Sequence, residues 1–372
     1  MMSEATIIPV VMPKWGLSMR EGIVNEWLVD EGEEITPGMP ILNVETDKIA
    51  NAVEATDGGV LRRKVAGEGD VLPVKALLGV LAPPTVSEGQ IDDFIQSWVV
   101  ADVDEDDEEQ VSVDRFIEVN DLRVRYVRKG EGTETLLFIH GFGGDLNNWL
   151  FNLDAFPDAT VVALDLPAHG QTETRLTGNS LAALAGFVIE FMQALEMPAA
   201  HLIGHSLGGA IAAQLALDAP QRVRSLTLIG SAGFGPEINL SYTQGFIDAQ
   251  SRRDLKPVVE LLFADTELVS RQLLDDLLKY KRLDGVTDCL QQLHDGLFSG
   301  GQTSLPGQRL SGLTPPLLLI WGEEDAIVPP EHAALAPAGS RVVRIAGAGH
   351  MPQMEKSAQV NQLLQQHVSG ER

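Results

Sequence analysis

Six short apolar segments recur between residues 135 and 346, and they limit the fold of this chain more than any other feature. Several are continuously apolar, which is typical of strands buried on both faces of a mostly parallel sheet. Helical patterns separate them, and a hairpin with an Asn-Asp turn, in "VDRFIEVNDLRVRYVR", comes before them. We therefore expect an α/β fold from residue 113 onward. The segments are "TLLFIH" (135–140), "TVVALDL" (160–166), "AHLIGH" (200–205), "SLTLIG" (225–230), "PLLLIW" (316–321) and "RVVRIA" (341–346).

One connection in this series is much longer than the others. About 85 residues lie between "SLTLIG" and "PLLLIW". The part from about 234 to 311 has helical character and is long enough to form a lid. We expect this lid to control what reaches the sheet below it.

A possible nucleophile stands in the segment "IGHSLGGAIAAQLAL", where Ser206 lies between Gly204 and Gly208 in the spacing G-x-S-x-G. An apolar strand precedes the motif and a helix of small residues follows it, which is the setting that a nucleophile elbow requires. The glycines permit a sharp turn that leaves the hydroxyl at a helix N-terminus, where free N–H groups favour developing negative charge. The spacing alone is common by chance, so the strand and the helix around it carry the prediction.

A serine hydroxyl is a poor nucleophile near neutral pH, and it needs a base that is itself oriented by an acid. His350 follows the last predicted strand, in "IAGAGHMPQ", and Asp325 follows the strand before it, in "LLIWGEEDAIVP". An α/β sheet places its ligands at these strand ends, and the order Ser206, Asp325, His350 is a known triad order. Glu323 and Glu324 compete for the role of the acid, but Asp325 lies furthest past the strand.

Acyl chemistry at a serine also needs two backbone donors for the oxyanion. The N–H of Leu207, directly after the serine, is the first candidate, and the N–H of Phe142, in "FIHGFGGD", is the second. We expect His140 to hold that loop by hydrogen bonds. In "DLPAHGQT", Asp165 and His169 predict a tight loop at a strand end in the same way.

The first part of the chain, residues 5–82, is rich in Gly, Val and Ile and contains an internal repeat. The stretch "EGIVNEWLVDEGEEITPGMPILNV" (21–44) aligns with "GGVLRRKVAGEGDVLPVKALLGV" (58–80) when one residue is dropped midway. Two copies of one small β-unit predict a flattened barrel with an approximate two-fold axis, in which each half covers the other. The aligned pairs are Gly22 with Gly59, Gly32 with Gly69, Ile35 with Val71, Pro37 with Pro73, and Leu42 with Leu78.

One lysine stands out at the joint between the two copies. Lys48, in "ETDKIA", has Asp47 before it and Ile49 after it, and the repeat places it at the tip of a hairpin. A solvated surface lysine is the ordinary interpretation of such a residue. An attachment point for a group that the sequence does not encode is the other interpretation.

Residues 83–112 read as a linker with two distinct parts. A predicted helix over 87–99 begins with a possible capping box of Ser87 and Gln90. An acidic run, "DVDEDDEEQ", follows, and such a run repels itself and stays extended. The helix is either a short brace packed on a neighbouring domain or a docking element for a partner subunit, and we favour the brace. Its apolar residues at helical spacing are Ile91, Phe94, Ile95, Trp98 and Val99.

Composition excludes several classes of function. The formal net charge of -26 argues against nucleic-acid and anionic-membrane partners, since both require a positive surface. The single cysteine, Cys289, permits no disulfide within the chain. The start of the sequence does not read as a signal peptide, so we expect a cytoplasmic protein. We also expect no metal site, because four histidines lack companions at metal-ligand spacing: His201, His294, His332 and His367.

The motifs of residues 113–370 resemble those of the α/β-hydrolase superfamily, on the stretches "HGFGG", "DLPAHG", "GHSLGG", "WGEEDAIVP" and "GAGHMP". Residues 5–82 resemble lipoyl domains, in which the lysine of an "ETDK" hairpin carries lipoic acid in amide linkage. Related biotin-carrying domains have methionines beside the lysine, whereas Asp47 and Ile49 stand there in this chain. The resemblance implies a lipoyl domain at 1–82, the linker at 83–112 and an α/β-hydrolase domain with a lid at 113–372.

This combination of domains resembles the dihydrolipoamide acetyltransferase components of acetoin dehydrogenase complexes. The resemblance implies lipoate on Lys48, coenzyme A as the acceptor, and two enzymatic partners. These are thiamine-diphosphate acetoin dehydrogenase subunits, which load the acetyl group, and a flavin-dependent dihydrolipoyl dehydrogenase, which reoxidises the arm. The H-x-x-x-D-G motif of the 2-oxoacid dehydrogenase acyltransferases is absent from this chain, since "HDG" at 294–296 has the wrong spacing.

The reaction expected from this resemblance is acetyl transfer from the lipoyl arm to coenzyme A through Ser206. A lipoyl-tethered serine hydrolase, or thioesterase, that releases the acyl group to water uses identical residues, because the acceptor is chosen by the lid and by the exclusion of water. Two further alternatives remain open: a carrier and scaffold whose hydrolase-like domain only docks, and a serine hydrolase in which Lys48 is an ordinary surface lysine.

Overall fold

The computed structural model describes residues 7–13, 15, 19–46, 50–98 and 114–370. The chain forms two compact units, residues 1–111 and 112–372. Lys48 and the acidic run predicted to be extended lie outside the described residues. No helix in the described part of the chain is long and apolar enough to cross a membrane.

The described residues of the first unit form two four-stranded sheets related by an approximate two-fold axis. One sheet has the order β1-β8-β6-β3 and the other β5-β4-β2-β7, so exchanging the first four strands with the last four converts one sheet into the other. The predicted all-β barrel built from a repeat is therefore confirmed. The strands are β1 (Ile8–Val11), β2 (Glu21–Trp27), β3 (Glu34–Ile35), β4 (Pro40–Glu45), β5 (Ala50–Glu54), β6 (Gly59–Lys64), β7 (Val71–Pro73) and β8 (Leu77–Leu81).

Reciprocal hydrogen bonds show which residues of the two halves are equivalent. The N–H of Gly32 donates to Leu61 O at 2.7 Å, and the N–H of Gly69 donates to Val24 O at 2.7 Å. Both glycines have left-handed backbones, with φ of 93° and 87°. The predicted pairing of Gly32 with Gly69 is confirmed.

The second half of the predicted alignment is wrong by one residue. The N–H of Leu28 donates to Ile41 O at 3.0 Å and that of Val65 to Leu78 O at 2.8 Å, so Leu78 is the equivalent of Ile41 and no residue is dropped. The gap was suggested by matching Pro37 with Pro73. These prolines instead occupy successive positions of two equivalent turns, because the residue with positive φ is the first after Pro37 (Gly38) but the second after Pro73 (Lys75). The exposure of the side chains agrees with the corrected alignment. Val71, which the predicted alignment pairs with Ile35, is 53% exposed, whereas Ile35 is buried.

A helix, α1 (Glu88–Ser97), packs on the barrel of the first unit. Ser87 and Gln90 form the predicted capping box, with the Gln90 N–H on the Ser87 side chain and the Ser87 N–H on the Gln90 side chain. Ile91 is fully buried in a cluster with residues of β8 and of the turn after it. Glu88 forms ion pairs with Arg62 and Arg63 of β6. Within the first unit this helix is the expected brace, while Val99 lies outside the described residues.

The described residues of the second unit contain an eight-stranded sheet in the order β16-β15-β14-β13-β11-β12-β10-β9. The six strands from β11 to β16 run parallel, and β9 and β10 form an antiparallel hairpin at the edge. Asn120 and Asp121 both have positive φ, which is the geometry of a two-residue hairpin turn. The strands are β9 (Arg115–Val119), β10 (Leu122–Lys129), β11 (Thr135–Ile139), β12 (Thr160–Leu164), β13 (Ala200–His205), β14 (Val223–Ile229), β15 (Leu317–Gly322) and β16 (Arg341–Ile345).

Helices follow the strands of the sheet and also build the long insertion between β14 and β15. The segment predicted as a lid is helical and contains α4 to α7, joined by shorter 3-10 turns. The helix after Ser206 is buried for most of its length because glycine and alanine let it lie close to the sheet. The helices are α2 (Leu181–Ala194), α3 (Leu207–Asp218), α4 (Leu240–Asp248), α5 (Arg252–Val259), α6 (Arg271–Lys281), α7 (Val286–Leu297), α8 (Pro352–Glu355) and α9 (Ser357–Ser369).

Candidate active site

Ser206 occupies a strained turn between β13 and α3. Its backbone has φ 53° and ψ -117°, a combination that non-glycine residues rarely adopt. The surrounding backbone holds it there: the Ser206 N–H donates to Ile229 O at 3.0 Å, and the Ala232 N–H donates to Ser206 O at 3.1 Å. The strain is therefore maintained from the neighbouring strand β14 and the loop after it.

The glycines of the motif are required by close backbone approach. A Cβ on Gly204 would lie 2.4 Å from Gly208 O, and one on Gly208 would lie 2.1 Å from Ile139 O. These distances are far below van der Waals contact. The sharp turn at Ser206 thus depends on the absence of side chains at both positions.

Asp325 and His350 meet at the carboxyl end of the sheet. His350 Nδ1 lies 2.8 Å from Asp325 Oδ2, and the two side chains are almost completely buried. With Nδ1–H donating to the carboxylate, Nε2 is left without a proton and is able to accept one. The competing acids, Glu323 and Glu324, are exposed. The structure thus selects Asp325 as the partner of His350.

The two expected oxyanion donors flank Ser206. Phe142 belongs to the loop after β11, and a Cβ on its neighbour Gly141 would lie 3.0 Å from Ser206 Cβ. Leu207 is the first residue of α3. Within the described residues, neither the Phe142 N–H nor the Leu207 N–H donates to a protein acceptor. Tyr242 of the lid donates its hydroxyl to Phe142 O at 3.3 Å and supports this loop.

A mainly apolar cavity lies over this arrangement. Ser206 and His350 are part of its wall, together with Phe142 and Met351. The insertion covers it from the other side, which is the place expected for a lid. Its lining residues from the insertion include Tyr242, Phe246, Val259, Phe263, Leu273 and Leu277.

His140 holds the loop after β11 by hydrogen bonds, as predicted. One ring nitrogen, Nδ1, donates to Gly141 O at 2.8 Å, and the other, Nε2, accepts the Leu166 N–H at 3.0 Å. Burial lowers the pKa of His140 to about 4. The ring is therefore neutral near pH 7 and acts as a fixed link between two loops.

The loop after β12 is built around a buried carboxylate, in agreement with its predicted structural role. Asp165 accepts N–H groups from Leu146 and Gln171, both at 2.8 Å, and lies 3.2 Å from the Arg125 guanidinium. His169 donates from Nδ1 to Pro167 O at 2.9 Å. These bonds fasten the loop.

Two positions that support the site were not singled out in the sequence. His205, directly before the serine, lies with Nε2 2.8 Å from His350 O, so its ring supports the backbone of the predicted base. Glu355, at the end of α8, accepts the Gly349 N–H at 2.7 Å and reaches the lid with its other oxygen. His205 could have been considered from the sequence, because it lies inside the serine motif. Nothing in "PQMEKS" marks Glu355 as a residue that supports the site.

The remaining histidines have ordinary partners or positions. His201 lies between Ser225 and Glu134, and His332 pairs with Glu237. Among the residues that the structure describes, no cluster of three or more His, Cys, Asp or Glu side chains is arranged around a common point.

The described strands on both sides of Lys48 fit a hairpin. β4 and β5 are antiparallel neighbours whose last described pair is Glu45 opposite Ala50. Lys48 itself, like Asp47 and Ile49, lies outside the described residues.

Comparison with known proteins assigns both units to families. The model of a family described as "alpha/beta hydrolase fold" matches residues 134–357, and that of a family described as "Biotin-requiring enzyme" matches residues 8–81. A relative from Cupriavidus necator, the "dihydrolipoyllysine-residue acetyltransferase component of acetoin cleaving system", is 62% identical over 98% of both chains. A relative of the same name from Pseudomonas putida is 46% identical over 95% of this chain and 96% of its own.

Solved structures agree on the fold of the second unit. A meta-cleavage product hydrolase from Pseudomonas fluorescens IP01 has a TM-score of 0.63 and 22% identity, and the match covers 69% of this chain and 97% of that one. A carboxylesterase from Bacillus subtilis has a TM-score of 0.62 and 19% identity, with 70% and 93% of the chains covered. At this level of identity the likeness concerns the fold alone.

Proposed function

The chain belongs to the family of dihydrolipoyllysine-residue acetyltransferase components of acetoin cleaving systems, and we propose that it transfers an acetyl group from Lys48-bound lipoate to coenzyme A. The catalytic residues in this proposal are Ser206, His350 and Asp325. The observation that carries it is the hydrogen bond of His350 to Asp325 next to a strained serine, beneath an apolar cavity.

Lys48 is the proposed attachment point of lipoate. The pairing of Glu45 with Ala50 supports this, because residues 46–49 then join two adjacent strands at one end of a sheet. In its reduced form, a lipoyl group in amide linkage at this point would supply a thiol able to carry an acetyl group as a thioester. In the proposed domain plan, residues 1–82 are the carrier, 83–112 the linker and 113–372 the catalytic domain.

In the proposed first half-reaction, Ser206 is the nucleophile. Its Oγ attacks the carbonyl carbon of the acyl thioester while His350 Nε2 takes the hydroxyl proton. The Phe142 and Leu207 N–H groups donate to the oxyanion that forms. When the tetrahedral intermediate collapses, the carbon–sulfur bond breaks and the leaving sulfur takes the proton from His350. The products are an acetyl ester on Ser206 and a free thiol.

The second half-reaction reverses these roles with another thiol. His350 takes the proton of the coenzyme A thiol, and the sulfur attacks the acetyl carbonyl held on Ser206. Collapse breaks the ester bond, and His350 returns the proton to Ser206 Oγ. Asp325 keeps Nε2 directed at the reacting atoms and stabilises the charged ring in both halves.

The apolar cavity favours a thiol acceptor over water. An acyl-serine that is exposed to water hydrolyses, and exclusion of water is one way to protect a reactive intermediate. The lid residues around Ser206 are mostly hydrocarbon, so few groups are available there to hold an attacking water molecule. We propose that the enzyme works with thiamine-diphosphate acetoin dehydrogenase subunits and with a dihydrolipoyl dehydrogenase, in keeping with the multienzyme system named for its relatives.

The deciding experiment supplies acetyl-dihydrolipoamide with and without coenzyme A and measures acetyl-coenzyme A and free acetate. Acetyl-coenzyme A should form in the wild type and be lost in Ser206→Ala, while Ser369→Ala, at an exposed serine of the last helix, keeps the wild-type rate. If acetate is released at the same rate with and without coenzyme A, the chain is a thioesterase and the proposal fails.

A second experiment tests the carrier assignment by intact mass. Protein from cells that make lipoate should show the mass of one lipoyl group, and Lys48→Ala should lack it. Lys64→Ala, at a lysine of β6, should keep the added mass. A lipoyl group that persists in Lys48→Ala would assign the attachment to another residue.

A further inference from the structure

A buried carboxylate joins the lid to the loop that carries His350. Glu355 is only 9% exposed. Its Oε2 accepts the Gly349 N–H at 2.7 Å, and its Oε1 accepts the Ala264 N–H at 2.7 Å and the Asp265 N–H at 3.4 Å. Each oxygen therefore serves a different segment, one on the side of the base and one on the side of the lid.

The lid segment that Glu355 contacts, residues 262–265, is called the lid strap here. It lies directly on the backbone before the base: a Cβ on Gly349 would come within 2.7 Å of Ala264 N and 2.9 Å of Leu262 O. The His350 N–H also donates to Leu262 O at 2.8 Å. The strap and the loop of the base are thus held together by direct contact and by the carboxylate that bridges them.

The lid strap also forms part of the cavity wall. Leu262 and Phe263 contribute to the cavity wall, and Met351 and Met354, from the segment between His350 and Glu355, line it as well. A movement of the strap away from Gly349 would therefore displace the wall of the cavity and the backbone of His350 at the same time. The same movement would open the apolar cavity to water.

A carboxylate suits this bridge because both of its oxygens can accept hydrogen bonds. Among the residues that the structure describes, its hydrogen-bond donors are all backbone N–H groups, and burial raises the pKa of its carboxyl group. A glutamine has only one acceptor oxygen, so its amide would face an N–H on one of the two sides. An aspartate keeps both oxygens but is one methylene group shorter.

We propose that Glu355 is a positioning residue that fastens the lid strap to the loop of His350 and thereby determines how much acyl-enzyme is lost to water. It does not touch the reacting atoms. It acts through the strap, which keeps the cavity closed while the acyl group is on Ser206. This inference rests on the proposed function, because loss to water is a side reaction only for a transferase.

The test uses the full chain and measures the ratio of acetate to acetyl-coenzyme A from acetyl-dihydrolipoamide at a fixed concentration of coenzyme A. In Glu355→Gln we expect the acetate share to rise by about tenfold, since one buried N–H loses its acceptor. Glu355→Asp should give a smaller rise because it keeps the charge. A general loss of stability lowers both products together and leaves the ratio unchanged.

Asn361→Ala provides a matched control. Asn361 lies in the helix that follows Glu355, and its side chain bonds to Asn152 and to Phe151 O. Among the described residues it makes no hydrogen bond to the strap or to His350. It should cost stability without moving the product ratio. Hydrogen exchange of the Ala264 and Gly349 amides gives a second measurement, and both should exchange faster in Glu355→Gln.

The outcomes separate the inference from the proposed function. An unchanged product ratio together with unchanged exchange in Glu355→Gln overturns the role of Glu355, even though the wild type transfers acetyl groups. A wild type that produces acetate alone overturns the proposed function instead, and the exchange of the two amides then still decides whether Glu355 fastens the strap. If Glu355→Gln does not fold, Glu355→Asp decides by the same two measurements.

Discussion

Asp325 binds His350 with one carboxylate oxygen and its own loop with the other. Oδ2 lies 2.8 Å from His350 Nδ1, and Oδ1 accepts the N–H groups of Ile327 and Val328 at 2.8 and 2.9 Å. The loop bonds prevent rotation of the carboxylate, so the ring of His350 meets an acceptor that is already in place. Both side chains are sealed from solvent, which strengthens the bond between them.

Replacement of this acid tests its role directly. Asp325→Asn should lower kcat by about 10³ to 10⁴, because the amide directs an N–H at His350 Nδ1 and favours the wrong tautomer. Glu324→Gln, at an exposed acid directly before it, should leave kcat near the wild-type value. The measurement is acetyl-coenzyme A formation under saturating substrates, and a large loss in Glu324→Gln instead would assign the acid to that residue.

A substitution at Gly230 tests how tightly the backbone packs against Asp325 and His350. Its backbone is left-handed, and an added Cβ would lie 3.2 Å from both Asp325 Oδ2 and His350 Nδ1. Gly339 is also left-handed but has nothing within 4 Å of such a Cβ. Both alanine variants should lose about 1–2 kcal/mol of stability through backbone strain, and only Gly230→Ala should also lose kcat. Equal activity of the two variants would contradict the crowding argument.

The brace helix should contribute strongly to the first unit. Ile91 is fully buried against Leu77 and Val80, so Ile91→Ala should cost about 3 kcal/mol of the unfolding free energy of that unit. Gln96→Ala, on the exposed face of α1, should be nearly neutral. Scanning calorimetry of the full chain measures the unfolding transitions of the two units. A shift confined to the transition of the second unit would show that the helix does not brace the barrel.

Buried neutral histidines should make the second unit sensitive to acid. The pKa of His140 is about 4 in the folded protein against an ordinary value of 6.5, and burial lowers that of His169 to about 3. As the pH falls below about 6.5, these histidines bind protons in the unfolded chain but stay neutral in the folded chain. Stability therefore declines until the pH reaches the pKa of the folded protein. His140 alone accounts for up to about 3 kcal/mol. His140→Gln should flatten the pH dependence of unfolding, and a dependence that is unchanged would exclude this cause.

Much of the architecture could be predicted from local patterns. Continuous apolar segments identified the parallel strands, and the long gap between "SLTLIG" and "PLLLIW" located the lid, since both are properties of consecutive residues. The serine between Gly204 and Gly208 was recognisable because a strand and a helix flank it. Its partners Asp325 and His350 followed from their places after strands, and their catalytic roles, like the lipoyl role of Lys48, stay predictions.

The repeat shows where local patterns mislead. The prolines at 37 and 73 suggested that one residue was dropped, yet they occupy different positions of equivalent turns. Only the hydrogen bonds of Leu28 to Ile41 and of Val65 to Leu78 establish the true register. Residue similarity between two copies is weak evidence for register because one substitution in a turn is enough to shift it.

The succession of strands and helices, the two-fold β-unit and the serine turn could be predicted from local sequence, because these depend on neighbours along the chain. The groups that support the site could be identified only from the folded structure. His205 meets His350 across 145 positions and Glu355 meets Ala264 across 91 positions. A buried polar side chain must satisfy whichever backbone groups lie beside it, and which groups those are is known only after distant segments have packed together.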